Sequence, residues 1–62
     1  MKQVSLEKVK QANPAFFEAA FPEETFEIRT VNGVQALVVW GKFTHPAYKI
    51  SEDLSLDFLC HL

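Results

Sequence analysis

The sequence is short of almost everything that staples a small domain or builds a reactive site. One cysteine, Cys60, stands among 62 residues, so no disulfide can close within the chain. A lone thiol fits a reducing compartment better than a secreted scaffold. The soft metal ligands are His45, Cys60 and His61, without CxxC or HxxxH spacing. Structural zinc takes four ligands, so neither a metal nor any other cofactor is expected. The two glycines, Gly33 and Gly41, are isolated, which leaves no glycine-rich loop to cradle a phosphate. No apolar run approaches the ~18 residues of a membrane span. The longest is Ala36–Trp40. The opening residues, 1–11, are polar and hold no apolar signal core. The expectation is an intracellular, cytoplasmic chain with no membrane association.

An excess of either charge is also missing. Six basic and eight acidic residues leave a net charge of −2. The bases Lys2, Lys8, Lys10, Arg29, Lys42 and Lys49 are scattered along the chain. Nucleic-acid modules of this size carry a basic face, so the charge weighs against that partner. The acids are too few and too mixed with bases to mimic a phosphate backbone.

What is abundant is apolar bulk. Hydrophobic residues make up 48% of the chain, and there are six phenylalanines. This composition forms a core and lies far from the disordered class. There are no repeats and no linker, so residues 1–62 read as one domain. A domain this short has about 3–5 kcal/mol of net stability unless something supplements its core. With disulfide and metal set aside, oligomerisation or docking onto a partner is the remaining supplement.

Along the chain, Ser5 is placed to cap a short helix over residues 6–12, with Glu7 at its positive end. Asn13-Pro14 then signals a second helix: Asn is a good N-cap and Pro is favoured in the first turn. That helix is predicted from Pro14 to about Phe21, apolar except for Glu18, and stopped by Pro22. Residues 25–31 and 34–42 flank Asn32-Gly33, the strongest short hairpin signal, because a type I′ turn needs positive φ at both central residues. A two-residue loop pairs Val31 with Val34, and so Arg29 with Ala36, Ile28 with Leu37, Glu27 with Val38 and Phe26 with Val39. Alternation then puts Phe26, Ile28, Leu37 and Val39 on one face, expected to pack on the Phe-rich helix. The second strand is apolar on both sides and reads as central. A third strand is predicted over 47–50. The C-terminal stretch carries two patterns. Leu54, Leu56, Phe58, Cys60 and Leu62 alternate as in a strand. Ser51-Glu52-Asp53 resembles a helix start, with Leu54, Phe58 and Leu62 at helical spacing. A helix is the expectation here, with a strand as the alternative.

Reactive constellations are weak. Cys60 and His61 are neighbours and so diverge on either a helix or a strand, and Cys60 lies in an apolar series where a buried thiol is inert. Glu23, Glu24 and Glu27 gather at a turn and read as solvated. Arg29, Lys42 and Lys49 lie near Trp40, Phe43 and Tyr48, an arrangement that can stack single-stranded bases, but three bases are few. The more telling feature is the second sheet face. Val31, Val34, Val38 and Trp40 form an apolar stripe, extended by Phe43 or Tyr48. Such patches mark interaction surfaces, and Trp and Tyr are common anchors there.

The predicted fold class is α+β, with short N-terminal helices, an antiparallel sheet built on the hairpin, a third strand, and a C-terminal helix or strand. The function expected from size and composition is a non-enzymatic interaction or regulatory protein. It would bind a protein partner or itself, as a homodimer, through the Trp40 face. A nucleic-acid-binding regulator and a subunit of an oligomeric enzyme or ligand-binding protein are the alternatives. Nothing in the sequence identifies a small molecule.

Overall fold

The computed structural model describes residues 4–62. Lys2 lies outside the described residues. Two short helices, α1 (Leu6–Ala12) and α2 (Pro14–Glu18), precede four strands, β1 (Thr25–Val31), β2 (Val34–Trp40), β3 (Pro46–Ile50) and β4 (Leu56–His61). The strands form one antiparallel sheet in the order β1-β2-β3-β4. This is an α+β arrangement. No helix among the described residues is long and apolar enough to cross a membrane.

Local chemistry explains most of the boundaries. Ser5 caps α1 by accepting a hydrogen bond at Oγ from the Lys8 amide at 3.2 Å. Asn32 and Gly33 take φ of 52° and 80°, the values a type I′ turn demands. The hairpin pairs Val31 with Val34 and continues without a slip to Thr25 and Trp40. Pro46 occupies the first position of β3, where its missing amide costs no internal ladder bond.

The helices cover one face of the sheet. Phe16 packs edge-on against Tyr48, with ring centroids 5.0 Å apart, and Phe17 packs on Phe26 at 4.7 Å. The Val4 amide donates to Gln35 Oε1 at 3.0 Å on the same side. Val9 and Leu37 are fully buried here, and Val39 nearly so. Burying a side chain such as Leu37 is worth about 1.5–3 kcal/mol. An unbroken row of ring contacts runs across this layer, from Phe26 through Phe17, Phe16, Tyr48 and Phe58 to His61.

Two elements differ from the sequence-based expectation. The second helix ends at Glu18, not near Phe21. Ala20 donates back to Phe17 O at 3.3 Å, the tighter turn that closes many helices. Phe21 stands before Pro22 and is steered away from helical geometry. Its amide turns instead to Glu24 Oε1 at 3.0 Å, and Glu24 returns a bond to Phe21 O at 3.1 Å.

The second difference is the C-terminal segment, which takes the alternative of its two patterns, the strand, and not the helix. Ser51-Glu52-Asp53 starts a turn. Leu54 donates to Ser51 O at 2.9 Å, and Ser51 donates to Ser55 O at 3.0 Å. Asp53 Oδ1 accepts from both the Ser55 amide and the Ser55 hydroxyl. Leu54 takes φ of 70°, a left-handed position that costs a non-glycine residue about 1–2 kcal/mol. Asn13, expected to cap α2, makes no capping bond with its side chain. Its Nδ2 donates to Val9 O at 3.0 Å and to Leu54 O at 2.7 Å, which ties the helix pair to this turn.

Candidate functional site

The open face of the sheet holds a cluster built from strand residues alone. Val31, Ala36, Val38 and Ala47 are buried in it, with Trp40, Leu59 and Cys60 packed against them. Ala36, Val38 and Ala47 are fully excluded from solvent although no helix residue joins the cluster. Short side chains in β2 and β3 lie sunk between taller neighbours. The C-terminal strand contributes through a bulge. Tyr48 pairs with Phe58 and Ala47 with Cys60, so Leu59 is the extra residue. A bulge sets two residues opposite one, and both Leu59 and Cys60 reach the cluster.

Trp40 stands at the end of this face and is held by polar neighbours. Its Nε1 donates to Glu27 Oε1 at 2.8 Å. Arg29 lies 5.9 Å from the indole centroid, and its guanidinium is 3.9 Å from Glu27 Oε1. The His45 ring is 5.1 Å away on the following loop. Arg29 is thereby engaged within the chain.

Of the six residues the sequence pointed to, the structure brings Val31, Val38 and Trp40 together on this face. Val34 is half-buried near the Asn32-Gly33 turn, opposite Val31. Tyr48 does not belong to the stripe. It pairs with Leu37 and lies on the helix side against Phe16. Phe43 lies on the β2–β3 loop and is 85% exposed, with Lys42 Nζ 5.5 Å from its ring centroid.

Among the described residues, three of the four large exposed apolar side chains, Phe21, Phe43 and Leu62, gather elsewhere, while the fourth, Phe58, lies within β4 and pairs with Tyr48. In this meander, the start of β1, the end of β2, the start of β3 and the end of β4 all lie at one end of the sheet. Phe21 leads into β1, Phe43 joins β2 to β3, and Leu62 follows β4 with its amide bonded to His45 O at 2.8 Å. Phe21 is 67% exposed and Leu62 49%. Phe21 and Phe43 line one cleft of about 310 Å³ together with Glu23, Glu24, Lys42 and Thr44. Gly41 lets this loop close. A side chain there would begin 2.9 Å from Thr44 O and 3.4 Å from Glu24 Oε2.

The apolar pattern of residues 14–21 places Phe21 on a helix, whereas it is a surface residue. Its place before Pro22 was the available signal.

The remaining reactive groups are dispersed. Cys60 is half-buried against the open-face cluster, while its neighbour His61 packs on Phe58 at 5.0 Å. Among the described residues, no group of three or more His, Cys, Asp or Glu side chains is placed to hold a metal ion. The titration of Asp53 is displaced. The hydroxyl and amide of Ser55 stabilise its carboxylate and hold it below the ordinary aspartate range. No protein-family model matches the chain, and no match to it was found among curated proteins or solved structures.

Proposed function

We propose that this chain is a non-enzymatic protein–protein interaction or regulatory protein whose contact surface is the apolar end of its sheet, at Phe21, Trp40 and Phe43. The observation that carries the reading is the pair Phe21 and Phe43, both largely exposed and sharing one cleft. Large aromatics set together in solvent are typical of association surfaces and rare on inert ones. Trp40 stands at the same end, and Trp is among the commonest anchors of binding energy. The first association to expect is with a second copy. A small core gains from further burial, and a two-fold contact would set each Phe43 against the partner's apolar end. The cytoplasm is the proposed setting, on the ground of the single unpaired thiol.

The test is molar mass by light scattering across a dilution series, for the wild type and for Phe43→Ser. Phe43 makes little of the fold at its exposure, so the substitution leaves the folded chain intact. A concentration-dependent dimer in the wild type, shifted to monomer by Phe43→Ser, supports the reading. A wild type that stays monomeric at high concentration rules out the self-associating form.

A further inference from the structure

Beside the cleft at Phe43 lies a second one that shares Phe21 and Glu24 with it. Phe16, Phe21, Phe26 and Tyr48 all line it, and so does Glu24. Its volume is about 250 Å³. We propose that this cleft binds an organic ammonium group carried on a short apolar stem.

The chemistry of the walls selects the ligand. Aromatic rings attract cations through the negative potential of their faces, and several rings around one space are how proteins hold methylated ammonium groups. Phe16 and Tyr48 both line the cleft and meet edge to face, with their ring planes at 82°. The remaining lining, including Ala19, Ala20, Val39 and Pro46, is apolar and would receive the stem. Glu24 supplies the counter-charge. It is half-buried, and its Oε1 is fixed by the Phe21 amide at 3.0 Å. No lysine or arginine lines the cleft. The ion pair among the described residues joins Arg29 to Glu27 and leaves Glu24 out. An anion would meet the Glu24 carboxylate here, with no cationic side chain lining the cleft. A neutral ligand would gain only the apolar contact, whereas a cation uses both features.

The group could come from a free quaternary amine or from a lysine side chain, and the titration separates them. Choline, N-acetyl-lysine amide and the neutral carbon isostere of choline, with tert-butyl in place of trimethylammonium, are each added to the protein. Ring-proton NMR signals of Phe21 and Tyr48 are followed. Choline is expected to bind roughly ten-fold more tightly than the isostere, the advantage of a cation against ring faces. Glu24→Gln keeps the acceptor for the Phe21 amide and should weaken choline several-fold while leaving the isostere unchanged. Tighter binding of choline than of lysine amide indicates a free organic cation, and the reverse order indicates a protein side chain. Equal affinity for choline and its isostere, no effect of Glu24→Gln, or no shift with any ligand would overturn the proposal. Phe43 does not line this cleft. The same titration on Phe43→Ser therefore separates failure of the cation site from failure of the association surface.

Discussion

Asn13 offers the sharpest test of how this fold is held together, because its two possible roles predict opposite effects of one atom change. As an N-cap, Asn13→Asp would be neutral or favourable, since Asp caps as well as Asn and adds a charge that suits a helix start. In the structure the side chain is a donor. Its amide serves Val9 O at 3.0 Å and Leu54 O at 2.7 Å, and bridges the end of α1 to the β3–β4 turn. A carboxylate has no proton to give and would face both carbonyl oxygens. Each lost bond costs about 1 kcal/mol net, and charge repulsion adds to that, so Asn13→Asp should cost about 2–3 kcal/mol. A small domain unfolds in urea with a slope near 1 kcal/mol per molar, so the midpoint should fall by about 2–3 M. Trp40 fluorescence reports the transition. Asn13→Ala, which loses the bonds without adding charge, should lie between the two. Below the aspartate range the protonated side chain regains one O–H donor, so the gap to the wild type at the same pH should narrow. An Asn13→Asp chain as stable as the wild type, or more stable than Asn13→Ala, would refute the clamp.

Two other substitutions probe the core and the turn. Leu37→Ala empties a fully buried site under the helices and should cost about 3–5 kcal/mol, comparable to the whole stability of a domain this size. Circular dichroism should then show no cooperative transition, and a loss under ~1 kcal/mol would mean the helix layer does not close over Leu37. Ser55→Ala removes the hydroxyl that bonds Asp53 Oδ1 at 2.7 Å and should raise the Asp53 pKa part of the way to its ordinary range, the Ser55 amide remaining. Because the folded value lies below the unfolded one, the stabilisation is full above the ordinary aspartate range. It is lost as pH falls through the lowered value. Carboxyl-carbon NMR titration reads the shift directly, and an Asp53 curve unmoved by Ser55→Ala would show that the hydroxyl plays no part.

The sequence by itself determined whatever rests on contacts between near neighbours. The Asn32-Gly33 turn set the register of β1 and β2 residue by residue, because a two-residue loop leaves no freedom in the pairing beyond it. The Ser5 cap was legible for the same reason, and apolar residues on both faces of β2 marked it as an interior strand.

Tertiary structure decided the rest, where local signals were balanced or silent. Residues 51–62 carry both a helical and a strand period. The open edge of β3, with its unsatisfied backbone groups, selected the strand. Tyr48 could have faced either side, since nothing between Trp40 and Pro46 sets the parity of β3. The pairing of Tyr48 with Leu37 put it under the helices, and a slip of one residue would have turned it outward. The candidate stripe around Val38 was visible as a pattern, but its burial without an overlying element depends on Leu59 and Cys60 arriving through a bulge in the last strand. The exposed end formed by Phe21, Phe43 and Leu62 could not be read from the chain, because those residues are far apart in sequence and only the meander brings them to one end of the sheet.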